Sequence, residues 1–239
     1  MNPIDLLSPD QYTLVYNLLS FGTAVMFGAF VYFLTQMKAV KEQYRSAVSV
    51  SAVVVGIAGY HYYRIWSDFG ELKMNEGYRY ADWLITVPLL IVELLIVLGV
   101  SSELRKKLMT SLIPATVLMI GLGYPGEIAD SAGTKWVFWV LAMVPFAYIL
   151  WTLYGQLQAA STRENPAVAK AIKNATVVLL ATWMVYPIAY LFPVFDANSG
   201  TLETLRQVGY TFADITAKGL YGLMVIGIAK ARSAESTSS

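Results

Sequence analysis

Hydrophobic positions along this chain gather into long runs poor in charge, and the runs recur over its whole length. Seven can be counted, centred on residues 12–34, 47–66, 80–100, 108–122, 136–157, 171–192 and 205–228. Each lies near the roughly 20 residues that an α-helix needs to cross the hydrocarbon core of a bilayer. The pattern predicts an all-α membrane protein, one domain of seven transmembrane helices over residues 1–239.

The connections are short and hold turn-forming residues, as in Gly123-Tyr124-Pro125-Gly126 and Asp196-Ala197-Asn198-Ser199-Gly200. Between the spans there is no room for a soluble domain. Residues 233–239 are rich in Ser and Thr and are expected to fray, because such a composition cannot bury a core. The first eleven residues lack the basic, then apolar, then small-residue order of a cleaved signal peptide, so the first helix is expected both to target and to anchor the chain.

Composition agrees with a bilayer: 56% of the residues are hydrophobic, 14% are charged, and the mean hydropathy is +0.53. The lack of Cys excludes disulfides and thiolate metal sites, and a formal net charge of +1 gives no reason to expect nucleic acid as a partner. Charge does orient the bundle. Lys38, Lys41, Arg45, Arg105, Lys106, Lys107, Arg163, Lys170, Lys173, Lys230 and Arg232 fall on alternate connections. The other side mixes Arg64, Lys73, Lys135 and Arg206 with seven carboxylates, among them Glu76, Glu127 and Glu203. The positive-inside rule therefore places the N-terminus outside and the C-terminus in the cytoplasm.

Charged side chains inside a span cost at least about 2.5–3.5 kcal/mol at mid-membrane, so each is a candidate for function. Asp214 and Lys218 stand four residues apart in the seventh span, on one helix face and one turn from each other. They could form a structural ion pair. Lysine is also the side chain that forms Schiff bases with carbonyl compounds, so an aldehyde cofactor would fit this position. In the third span Asp82, Thr86 and Glu93 follow one another at steps of four and seven and share a face. Asp82 and Glu93 are separated by about 16 Å along the helix axis, half the hydrocarbon thickness. Glu93 could snorkel to the interface and Asp82 could pair with Arg79. Aligned with a mid-membrane lysine, the two carboxylates instead suit a proton relay.

The single histidine, His61, sits among aromatic residues in the second span. It is either a packing residue or a neighbour that adjusts how readily Asp82 takes a proton. Trp83, Trp139, Trp183, Tyr186 and Tyr190 all fall within spans and could line an apolar pocket for a chromophore.

The run Arg79-Tyr80-Ala81-Asp82-Trp83-Leu84 with Thr86 and Pro88, the segment Trp183-Met184-Val185-Tyr186-Pro187 with Tyr190, and the Asp214/Lys218 pair together resemble the microbial rhodopsins. The resemblance covers all seven spans. It implies all-trans retinal on Lys218 as a protonated Schiff base, Asp82 and Asp214 as counterions, and Arg79 on the extracellular side. Asp82 would be the proton acceptor, Thr86 its support, Glu93 the cytoplasmic donor, and His61 coupled to Asp82. The Asp-Thr-Glu set is similar to that of proteorhodopsin-like and xanthorhodopsin-like outward proton pumps. Chloride pumps lack the carboxylate at the position of Asp82, and sodium pumps carry Asn-Asp-Gln. A sensory rhodopsin signalling through a partner protein is the alternative, and a seven-helix protein without retinal the remaining one.

By the same resemblance, Leu90 implies green rather than blue absorption, and Trp139 stands where a glycine would open a window for a carotenoid antenna, so no antenna is expected. Pro187 belongs to the implied retinal pocket. Arg206 falls near the place of a proton-release glutamate, with Glu203 close by, which leaves the release group open. The implied setting is the plasma membrane of a prokaryote, with lipid and protons as partners and a homo-oligomer as the assembly.

Overall fold

The computed structural model describes residues 2–238. A 3-10 turn, Pro3–Leu6, leads into the first long helix, Pro9–Gln36. That helix begins where the sequence provides a reciprocal cap. The Ser8 hydroxyl accepts from the Gln11 N–H, the Gln11 side chain accepts from the Ser8 N–H at 2.9 Å, and Pro9 fills the first helical position. The second to fifth helices are Glu42–Gly70, Gly77–Val97, Ser102–Glu127 and Ala132–Ser161. The sixth is three segments end to end, Pro166–Trp183, Val185–Tyr190 and Phe192–Phe195. The seventh runs as Gly200–Asp214, a π-helical turn Ile215–Leu220, and Tyr221–Ser238. Each helix packs on the next, and the seventh closes the bundle against the first, second and sixth.

The distribution of polarity is that of a protein solvated by lipid. Phe21, Val31, Val144, Trp151 and Phe212 stand more than half exposed on the outside, while Arg79, Asp82, Glu93, Asp214 and Lys218 are buried within. A soluble protein does not leave so much apolar surface uncovered. Among the described residues, six helices are long and apolar enough to cross a membrane on composition alone, and the second is not among them. Its polar residues Ser51, His61 and Tyr62 point into the bundle, and Val53, Tyr60 and Tyr63 face out. The second helix thus contributes function to the interior at the expense of its apolar signature.

One expectation is corrected. The Gly123–Gly126 stretch is not a turn but the last part of the fourth helix, which reaches Glu127. Its glycines serve close packing: a Cβ on Gly123 would lie 3.2 Å from the Tyr80 hydroxyl, and one on Gly126 would lie 2.6 Å from Phe138 Cβ and overlap the Tyr190 hydroxyl. Pro125 is tolerated because backbone groups freed in a membrane helix are satisfied locally. The last stretch of the seventh helix runs to Ser238. Ser233 helps hold it, donating to the Ala229 carbonyl at 2.7 Å and accepting from the Lys41 N–H at 3.0 Å. Ser239 lies outside the described residues. By contrast, Asp196–Ser199 forms the expected turn, with Asp196 Oδ1 accepting from the Asn198 N–H at 3.0 Å and Ser199 capping the seventh helix.

Two described residues between long helices are left-handed: Leu72, φ +59°, in the connection from the second to the third helix, and Gly99, φ +63°, which closes the connection from the third to the fourth.

Candidate functional site

Lys218 sits inside the π-helical turn, in the middle of the seventh helix. Such single-turn bulges shift side chains out of the regular α-helical register and are frequent at functional sites. The side chain is buried, and its Nζ donates to Asp82 Oδ2 and lies 2.7 Å from Asp214 Oδ1. The sequence-predicted lysine and both carboxylates therefore form one group.

The two carboxylates are held differently. Asp214 Oδ2 accepts from the Tyr62 hydroxyl at 2.8 Å and lies 3.7 Å from Arg79 Nη1. Its Oδ1 accepts from the Tyr186 hydroxyl at 2.8 Å and the Trp83 indole N–H at 3.2 Å. Asp82 has fewer partners. Thr86 donates to the Asp82 carbonyl at 2.9 Å and only weakly, at 3.5 Å, to Oδ2. His61 Nδ1 is 3.7 Å from Asp82 Oδ1, closer to the Ile57 carbonyl at 3.0 Å, and Oδ1 has no hydrogen-bond partner. The network stabilises charge at Asp214 more than at Asp82.

Glu93 is also buried, not at the interface, and stands apart from this group by the helical rise between residues 82 and 93, about 16 Å. Ser51 of the second helix donates to Glu93 Oε1, and Oε2 has no partner. The layer around it is apolar, including Val54, Leu90, Ile91 and Leu94.

Beside Lys218 a cavity opens, with about 740 Å³ of empty space that includes the solvent at its mouth. Trp83, Leu90, Trp139, Trp183, Tyr186, Pro187 and Tyr190, all expected from sequence, line it together with Lys218. The Trp139 indole N–H donates to the Pro187 carbonyl at 2.9 Å, across the break in the sixth helix, and the Tyr190 hydroxyl donates to the Lys135 carbonyl at 3.1 Å. An apolar, aromatic cavity with one amine at its end fits a long hydrophobic aldehyde, and hence retinal.

Arg79 does not pair with Asp82. Its Nη2 donates to Gln207 Oε1 at 2.7 Å, its Nε faces Glu76 at 3.4 Å, and it lies over the ring of Tyr210. It joins the Lys218 group to a second buried cluster, in which Arg206 donates to Glu127 Oε1 and, through Nη2, contacts Glu76 at 3.2 Å and Glu203 at 2.9 Å. Tyr80 and Tyr210 both donate to Glu127 Oε2. Burial pushes the Glu76 carboxyl up, but the Arg206 and Arg79 guanidinium groups and the Gln207 amide outweigh it and hold the group below its ordinary value.

Sequence reasoning did not find Ser51, Tyr62, Gln207 or Tyr210, nor the cavity residues Met119, Met143 and Phe146. Ser51 and Tyr62 belong to the helix with the weakest apolar signature, and an inward-facing polar stripe there was the available signal. Glu127 and Arg206 read as end-of-span charges and are in fact partners within the bundle.

Residues 13–231 match the family model described as bacteriorhodopsin-like protein. The chain is 30% identical over 211 residues to the blue-light absorbing proteorhodopsin of Gamma-proteobacterium Hot 75m4, covering 87% of this chain and 82% of that one. Among solved structures, xanthorhodopsin, described as a light-driven ion pump with dual chromophore, is 42% identical with a TM-score of 0.91, covering 97% of this chain and 98% of that one. A thermophilic rhodopsin is 39% identical with a TM-score of 0.90, covering 96% and 98%.

Proposed function

This chain belongs to the bacteriorhodopsin-like proteins, and from that premise we propose that it is a light-driven outward proton pump carrying retinal on Lys218. One observation carries the reading. The buried Lys218 nitrogen lies between two unequal carboxylates, Asp82 and Asp214, and a third buried carboxyl, Glu93, lies farther along the helix that carries Asp82. The relatives named as proteorhodopsin and as a light-driven ion pump support it.

All-trans retinal joined to Lys218 Nζ as a protonated Schiff base would supply absorption of visible light and, on absorption, a change in the direction and proton affinity of that nitrogen. The side chains do the rest. The cationic Lys218 nitrogen starts beside Asp82 and Asp214, where mutual attraction keeps its proton in place. Asp82 accepts that proton, because it has the fewer hydrogen bonds to lose on becoming neutral, while Asp214 keeps its three donors and its charge. Thr86 and His61 flank Asp82 and adjust this step. Arg79 and the cluster around Arg206 form the polar route from Asp82 to the N-terminal side of the bundle, which the charge pattern assigns to the outside.

Glu93 returns a proton to the Lys218 nitrogen from the other side. A carboxylate buried without a cation costs several kcal/mol, so Glu93 is held neutral and in reserve until the nitrogen demands its proton. Direction follows from geometry, with acceptor and donor on opposite sides of one nitrogen. Moving one charge against 100 mV requires about 2.3 kcal/mol, a modest load for one photon. Leu90 gives the cavity an apolar wall, which supports green absorption, and Trp139 fills the wall beside Pro187, which supports a single chromophore.

The test is the pH of an unbuffered suspension of cells expressing the protein with added all-trans retinal, in light and dark, with and without a protonophore. Acidification abolished by the protonophore is expected, and Glu93→Gln is expected to keep colour and lose most of the steady rate. A coloured protein with no pH change would favour sensory signalling through a partner. Absence of colour would remove retinal from the reading.

A further inference from the structure

Tyr221 opens the last stretch of the seventh helix, three residues and so about one turn beyond Lys218. It is fully buried within the main apolar cluster, with Val54, Leu90, Ile91 and Leu94. Its hydroxyl has no hydrogen-bond partner, and neither has Glu93 Oε2. The third helix and this stretch of the seventh are in contact, Tyr221 shares its cluster with Leu90 and Leu94 on either side of Glu93, and a Cβ on the adjacent Gly222 would lie 3.4 Å from Cβ of Ser51, the partner of Glu93. A phenylalanine would fill the same apolar space without leaving an oxygen to satisfy. Orphaned buried polar atoms are rare because each is costly, and two of them near one another in an apolar layer call for a common partner. A water needs two to four polar neighbours to be held in a protein interior, and these two oxygens supply two of them.

We propose that Tyr221 is a positioning residue for proton return: its hydroxyl and Glu93 Oε2 together hold a water that carries the Glu93 proton towards the Lys218 nitrogen. The inference rests on Glu93 being the proton donor. In the step, the Glu93 O–H bond breaks and its proton goes to the water, which passes one of its own protons to the next of a file of waters that enters the roughly 16 Å gap during the cycle, and the last of them protonates the Lys218 nitrogen. Glu93 is left as a carboxylate, facing the Ser51 hydroxyl directly and the Tyr221 hydroxyl through the water. The Tyr221 hydroxyl keeps its proton throughout and contributes orientation alone.

Retinal-loaded protein in lipid nanodiscs, as wild type, Tyr221→Phe, Glu93→Gln and the double variant, tests this. Flash absorption follows loss and return of the Lys218 nitrogen's proton, and infrared difference spectra follow the carbonyl stretch of protonated Glu93. In Tyr221→Phe an unchanged visible band would show the cavity intact. The expected result is a return slowed about fivefold, loss of the proton to Asp82 at the wild-type rate, and a Glu93 carbonyl stretch moved to higher frequency. The double variant is expected to be no slower than Glu93→Gln alone. Wild-type return and an unmoved stretch in Tyr221→Phe, with Glu93→Gln slow, would overturn the role of Tyr221 and leave the donor intact. Equal slowing by Tyr221→Phe in both backgrounds would overturn it too, because the effect would not run through Glu93. Wild-type return in Glu93→Gln would instead remove the donor itself.

Discussion

Replacing Ser51 by Ala isolates what one hydroxyl of the second helix does for proton return. Ser51 is buried and donates to Glu93 Oε1. While Glu93 holds its proton this is a bond between neutral groups, with a net contribution of about 0.5–1.5 kcal/mol, and once the proton has left it is a bond to an anion, about 1.5–3 kcal/mol. Ser51 therefore favours proton donation by the difference, about 1–1.5 kcal/mol. At about 1.36 kcal/mol per factor of ten, this corresponds to a proton equilibrium roughly 5- to 13-fold less favourable in Ser51→Ala, and to a return slowed by up to that factor. Flash absorption on the retinal-loaded protein in nanodiscs measures it, with Ser49→Ala as the control. Ser49 is on the same helix but bonds the Arg45 carbonyl at 2.9 Å instead of Glu93. A Ser51→Ala protein whose nitrogen regains its proton at the wild-type rate or faster would refute the donor's dependence on this bond.

Lys218→Arg keeps a cation between Asp82 and Asp214 but removes the amine that condenses with an aldehyde, so a folded protein with no visible band after retinal addition is expected, checked by absorption and size-exclusion chromatography. Gly126→Ala is expected to cost about 1–3 kcal/mol through overlap with Tyr190 and Phe138, read as a lowered midpoint of thermal colour loss; an unchanged midpoint would contradict the packing role. Glu76 has a folded-state proton affinity held below its ordinary value of 4.5 by Arg206 and Arg79, so its contribution to stability is full above that pH and is lost as pH falls through the folded value. The stability gap between wild type and Glu76→Gln should accordingly close on acidification below about pH 4.5, and a gap that widens there would reverse the sign of this account.

The number and order of the spans, the lysine, its two carboxylates, Glu93 and seven of the residues lining the cavity were legible in the sequence. These were legible because a charge in lipid is expensive and helical spacing fixes which residues share a face. Local rules misread Gly123–Gly126, since glycine and proline promote turns in water yet allow close approach within a membrane helix, and whether a glycine faces Tyr190 or solvent is decided by a distant segment. Which acid each basic group serves is set by packing between helices: Arg79 turns to Asp214, Glu76 and Gln207 rather than Asp82, and Arg206 gathers Glu76 and Glu127 from elsewhere in the chain to join Glu203, one turn away on its own helix. Only the tertiary structure paired Ser51 with Glu93 and set Tyr221 near them. Most of those contacts join different helices, and the periodicity of any one helix states which way a side chain points but not what it meets.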